Sequence, residues 1–194
     1  MAFLKTHPAL ARALAARGYE VPTAVQLAVL DNDAADRDQL VSAQTGSGKT
    51  VAFGLALGRM LLGSEERLPA TLAPLALIIA PTRELALQVC RELTWLYEAV
   101  GARIITCVGG MDARAEARQL EARPHIVVGT PGRLRDHLER RRLDLCGLRA
   151  VVLDEADEML DLGFREDLEF LLNATPADKR MLLFSATLPP EIEE

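Results

Sequence analysis

Lysine is scarce in this sequence: of 22 basic residues only Lys5, Lys49 and Lys179 are lysines, so arginine is the ordinary cation and a lysine at a special place invites a chemical reading. Cysteine is scarce too. Cys90, Cys107 and Cys146 form an odd set with no short spacing, which suggests neither a disulfide framework nor a Cys-based zinc site. The three histidines, His7, His125 and His137, have no metal-ligand spacing either. No apolar run approaches the roughly 20 residues of a membrane helix; the longest clean stretch is Leu75 to Ala80. A secretory pattern is also missing, because Lys5 and His7 are followed by alternating Ala, Leu and Arg rather than a continuous apolar segment. These absences predict a cytoplasmic protein with no membrane partner. Positive charge is in deficit: 22 Lys and Arg face 28 Asp and Glu, a formal charge of −6. That excludes a uniformly basic protein coating nucleic acid and leaves room for a local basic face.

What is present is an ordinary globular composition, 194 residues with 49% hydrophobic and 26% charged content, enough for one domain with a sizeable core. From Gln39 onward, short apolar runs alternate with longer helical segments. The strand candidates are Gln39 to Ala43, Leu75 to Ala80, Arg103 to Val108, Ile126 to Gly129, Ala150 to Asp154 and Met181 to Ser185. Continuous rather than alternating apolar character reads as strands covered on both faces, which predicts an α/β fold with a parallel sheet. Helices are predicted to begin near Lys49, Arg83, Asp112, Gly132 and Phe164, and two shorter ones over Pro8 to Arg17 and Thr23 to Leu30. The segment Asp31 to Asp38 reads as a polar loop into the sheet, and no repeat or linker divides the chain.

Between the first strand and the next helix lies Ala43-Gln44-Thr45-Gly46-Ser47-Gly48-Lys49-Thr50. A glycine-containing turn that opens a helix aims backbone N–H groups at an anion, Lys49 can reach outer phosphates, and the Thr50 hydroxyl can ligate Mg²⁺. The literal phosphate-loop pattern has Gly where this chain has Ala43. A second element belongs on the same sheet edge: the apolar strand Ala150 to Leu153 runs into Asp154 and Glu155. Two carboxylates there are costly to bury without a cation, so Asp154 is expected to hold Mg²⁺, partly through water, and Glu155 to orient and deprotonate an attacking water.

Asp154-Glu155-Ala156-Asp157 spells DEAD, and with the phosphate loop the chain resembles the DEAD-box family of ATP-dependent RNA helicases. Further matches stand in the family's order: Pro81-Thr82-Arg83-Glu84-Leu85-Ala86, Gly109-Gly110, Thr130-Pro131-Gly132-Arg133 and Ser185-Ala186-Thr187. In that family Ala at the first loop position is normal, so Ala43 becomes support. The resemblance implies a RecA-like, phosphate-loop fold over residues 39–188. It implies catalytic roles for Lys49, Asp154 and Glu155, and nucleotide contacts from Thr45, Gly46, Ser47, Gly48, Lys49 and Thr50. The stretch Gly18 to Gln26 resembles the family's adenine-recognising segment, placed here within residues 1–30. Gln26 would read adenine through its amide, Tyr19 belongs to the same segment, and Phe3 is the only upstream aromatic able to stack on the base.

The resemblance also implies RNA contacts at Pro81, Thr82, Arg83, Gly109, Gly110, Thr130, Pro131, Gly132 and Arg133. Two of these segments are helix starts and one is a glycine turn, sites that bind backbone phosphate without reading bases. Thr130-Pro131 reads equally as an N-cap followed by an N1 proline, and both readings hold together because the capped helix start is the anion site. Asp157, Ser185 and Thr187 would couple nucleotide state to RNA. Arg140-Arg141-Arg142 reads better as cations in a helix's last turn, and Trp95 as packing. Family members join two RecA-like domains, and only the first is expected within residues 1–194. The rivals are a phosphate-loop ATPase acting on something other than RNA, and a non-catalytic RNA-binding scaffold. The adenine-reading segment and RNA motifs argue against the first, and the intact Lys49, Asp154 and Glu155 against the second. Charge distribution agrees with this layout: residues 154–194 hold 12 acidic and 3 basic residues, leaving a net +3 for residues 1–153.

Overall fold

A computed structural model describes Phe3 and residues 5–31, 37–44 and 46–187. Six strands, β1 (Gln39–Ser42), β2 (Ala76–Ile79), β3 (Ile104–Cys107), β4 (Ile126–Gly129), β5 (Ala150–Leu153) and β6 (Arg180–Ser185), form one sheet in the order β1-β6-β5-β2-β4-β3. Every pairing is parallel. Parallel neighbours need crossovers, and these are α3 (Lys49–Leu62), α4 (Arg83–Leu96), α5 (Ala113–Glu121), α6 (Pro131–Glu139) and the pair α7 (Ala156–Asp161) and α8 (Arg165–Asn173). Ahead of the sheet stand α1 (Pro8–Ala16) and α2 (Ala24–Val29).

The continuous apolar strands are buried on both faces, and the alternation of the pleat sorts their side chains between two cores. Ile78, Val128, Val152 and Phe184 join Leu10 of α1, Phe53 of α3 and Leu93 of α4 in one cluster. Their sequence neighbours Leu77, Val127 and Val151 join Leu134 of α6, Met159 of α7 and Leu168 of α8 in the other. Each fully buried Val or Leu contributes about 1.5–3 kcal/mol, so the central strands carry the sheet's stability. Residues of β2, β4 and β5 are all buried, whereas β1 and β3, at the sheet's edges, are partly open.

Observed strands agree with expectation to within one residue at each end. One helix was not expected. α7 begins directly after Glu155, which caps it in the left-handed conformation at φ 53°, so no turn residues separate it from the DEAD carboxylates.

Register fixes the site. Ser42 lies opposite Ser185, Leu153 opposite Leu183, Ile79 opposite both Leu153 and Gly129, and Cys107 opposite Gly129. The segments that follow all six strands therefore leave along one edge. β1, β6 and β5 supply one half of that edge, and β2, β4 and β3 the other.

Candidate functional site

Gly46 and Gly48 after β1 both have positive φ, 81° and 85°. Gly48 is the N-cap of α3, so the helix opens from a turn that an L side chain adopts only under strain. Among the described residues the buried Ser47 hydroxyl has no hydrogen-bond partner, which suits a ligand. Lys49, the first residue of α3, is buried, and its Nζ lies 3.4 Å from Asp154 Oδ1 and 3.2 Å from Glu155 Oε1. Thr50 beside it is buried as well. Thr45 lies outside the described residues, as do residue 188 and residues 32–36 of the polar loop.

Asp154 is 1% exposed, and among the described residues its carboxylate has the Lys49 ion pair but no well-formed hydrogen bond to either oxygen. Burial pushes its carboxyl up to about 6 against the pull of Lys49, with the Glu155 charge pushing the same way. A buried carboxylate with open lone pairs suits a hard divalent cation. Glu155 also hydrogen-bonds Glu158, and this sharing, with burial, raises the Glu158 carboxyl. Asp157 faces the other way: Thr187 donates to its Oδ2 from the backbone N at 2.9 Å and the hydroxyl at 2.8 Å. Its own N–H donates to Ser185 Oγ at 3.3 Å. Burial raises the Asp157 carboxyl, but the hydrogen bonds from Thr187 and Ser185 outweigh it and hold the group below its usual range. β6 and α7 are thereby tied beside the phosphate loop.

Gln26 is 1% exposed, and both ends of its amide are hydrogen-bonded. Its Oε1 accepts from Thr23 N at 3.0 Å, closing a capping box at the start of α2, and its Nε2 donates to Gly48 O at 3.4 Å. A Cβ on Gly48 would stand 2.7 Å from Gln26 Nε2. Gly48→Ala is therefore expected to weaken nucleotide binding about tenfold or more, through left-handed strain and displacement of Gln26. Titration with a fluorescent ATP analogue checks this, and unchanged affinity would contradict it.

The two aromatics of the upstream segment have different surroundings. Phe3 is buried in the hydrophobic cluster that contains α1 and α3. Tyr19 lies against Trp95, ring centroids 5.8 Å apart, with Arg17 over the same indole at 4.6 Å. Trp95 is in the last turn of α4, about 18 Å along the helix from its start at the site edge, so the structure does not bring Tyr19 to the phosphate loop.

Along the other half-edge, Thr82 caps α4, its hydroxyl accepting from Leu85 N at 3.2 Å. Thr130 caps α6 without a side-chain hydrogen bond, and Pro131 occupies N1. Pro81 and Pro131 are buried, whereas Arg83, Gly109, Gly110 and Gly132 are exposed. Arg83 donates to Met111 Sδ at 3.4 Å, and Arg133 donates to Met111 O at 3.2 Å. The two arginines thus meet across the Gly109–Met111 turn. Glu116 was missed by sequence reasoning: it is buried on α5, four residues before the buried Leu120. An acidic residue on the inward stripe of a helix was the available signal. Burial and the Glu116 charge push the adjacent Cys107 thiol up to about 12.

A six-stranded parallel sheet, with a phosphate loop after one strand and a paired acidic motif after another, is the architecture of a RecA-like phosphate-loop domain. The chain belongs to the DEAD/DEAH box helicase family, whose pattern matches residues 23–194. It is 45% identical over 184 residues to the DEAD-box ATP-dependent RNA helicase CshA of Bacillus licheniformis, covering 95% of this chain and 37% of that protein. With CshA of Bacillus subtilis the identity is 41% over 184 residues, covering 95% and 36%. The crystal structure of a DEAD box protein from the hyperthermophile Methanococcus jannaschii superposes with a TM-score of 0.86 at 38% identity, covering 98% of this chain and 51% of that one. The chain thus spans about half or less of the length of the relatives it matches. Among the described residues, no helix is long and apolar enough to cross a membrane.

Proposed function

We propose that this chain is the ATP-binding domain of a cytoplasmic ATP-dependent RNA helicase, which works with a second RecA-like domain to remodel RNA. The carrying observation is the trio in which buried Lys49 stands between buried Asp154 and half-buried Glu155, with Lys49 the one cation paired to the Asp154 carboxylate among the described residues. An ammonium at the opening of a helix binds the outer phosphates, and bound phosphate draws Lys49 from its two carboxylates. Thr50 and Asp154 would hold Mg²⁺, which neutralises charge on the phosphates when bound. Glu155, released from Lys49, orients a water and takes its proton. Asp157 reports the change through Thr187 and Ser185 at the end of β6.

The opposite half-edge supports the RNA reading. Arg83 and Arg133, the exposed glycine turn and the starts of α4 and α6 offer cations and N–H groups suited to a phosphate backbone rather than to base edges. RNA binding is therefore expected to be independent of sequence. ATPase assays of the complete natural protein with single-stranded RNA, duplex RNA and DNA test this function, and turnover indifferent to RNA would refute it. Residues 1–194 alone should bind nucleotide weakly, hydrolyse it poorly and leave a labelled duplex unopened; robust unwinding by this chain alone would contradict the need for a second domain.

A further inference from the structure

Beneath the RNA-facing half-edge lies a buried carboxylate with three donors. The trans peptide after Cys107 points its C=O at β4, where Thr130 N donates to it at 3.1 Å, so the Val108 N–H points toward the open side of the edge strand. Glu116 Oε1 accepts that N–H at 2.8 Å. Its Oε2 accepts from His137 Nε2 at 2.7 Å and pairs with Arg133 Nη1 at 3.7 Å. One side chain of α5 thereby joins the end of β3, which leads into Gly109-Gly110, to two residues of α6. The turn needs its glycine: Gly110 has φ 76°, and a Cβ there would stand 2.8 Å from Arg83 Nη1.

Cys107, Glu116 and His137 also place three ligand atoms within 4.8 Å of one another, a spacing that a transition metal could use. The cationic position beside Glu116 is taken by Arg133, and the other carboxylate oxygen is committed to Val108. A carboxylate so satisfied is an anchor rather than a metal ligand.

We infer that Glu116 is a positioning residue for RNA binding: it fixes the Gly109-Gly110 turn against α6 and holds the Arg133 guanidinium toward the RNA backbone. This rests on the RNA reading of the half-edge. Glu116→Gln keeps an acceptor for Val108 and a hydrogen bond to His137 while removing the charge that orients Arg133, so it should fold. The test is a double-mutant cycle in the complete natural protein, with fluorescent single-stranded oligo(U) and a non-hydrolysable ATP analogue. Arg133→Ala should weaken RNA binding about tenfold and E116Q about fivefold, whereas E116Q added to R133A should cost less than about twofold more, because Glu116 acts through Arg133. Affinity for the ATP analogue measured without RNA should stay within about twofold throughout. Losses that multiply in full, or RNA binding unchanged or tighter in E116Q, would overturn the role. One equivalent of zinc bound to the purified protein and lost on Cys107→Ala would overturn it as well. If R133A itself binds RNA normally, the RNA reading of this half-edge fails, and the inference falls with it.

Discussion

Glu155→Gln should lower RNA-stimulated ATP turnover about 10²–10⁴-fold, the range lost with a general base, while ATP affinity changes only a few-fold. Glu155 stands at the junction of β5 and α7 with φ 53°, a backbone conformation that is rare for non-glycine residues and concentrated at sites where strain serves position. Its Oε1 lies 3.2 Å from Lys49 Nζ, so the carboxylate is already in the site before substrate binds. Glutamine keeps the length, the acceptor oxygen and the backbone demand, and it loses the negative charge and with it the capacity to take a proton. Lys49 retains Asp154 as its partner, which is why nucleotide affinity should survive. Steady-state ATPase with saturating single-stranded RNA, beside equilibrium binding of a fluorescent ATP analogue, separates the two effects. Turnover within tenfold of the parent would remove Glu155 from the role of base.

The sheet was legible because β2, β4 and β5 are covered on both faces, so their apolar residues are contiguous and no other soluble element reads that way at such lengths. The phosphate loop was legible because its glycines and Lys49-Thr50 are local: adjacent residues do adjacent chemistry. α7 was not, since its cap is a glutamate in the left-handed region, a position for which residue type gives no signal. Tyr19 shows a different limit. It lies within the stretch that resembles the family's adenine-recognising segment, yet the polypeptide turns at Gly18 and carries the ring to Trp95. Gln26 shows the reverse, a residue on a short helix whose burial against Gly48 depends on α2 packing over the opening of α3, a contact between parts 22 residues apart. Glu116 belongs with Gln26. Its partners come from β3 and α6, and only the closed sheet brings them within reach of one carboxylate.

Asp154→Asn is expected to lower ATP turnover about a hundredfold or more, through loss of the cation ligand, and yet to stabilise the metal-free protein. The site's own electrostatics require this. Folding buries the Asp154 carboxyl and raises it from 3.8 to about 6, because burial outweighs the attraction of Lys49. A carboxyl raised by folding binds its proton more tightly in the folded state, so stability falls as pH climbs from about 4 through about 6. Above that window the full penalty is present, on the order of 3 kcal/mol for a displacement of this size. Asparagine imitates the protonated form and escapes the penalty. Urea unfolding in EDTA at pH 8 should therefore find the variant more stable by about 1–3 kcal/mol, with the advantage shrinking as pH falls toward 4. Addition of Mg²⁺ and ATP should reverse the order, because a ligand that binds only the folded parent stabilises it by mass action. A variant less stable than the parent in EDTA at pH 8 would mean that the Lys49 pair outweighs burial, and the buried carboxylate would then be a structural asset rather than a group held at a cost for the cation.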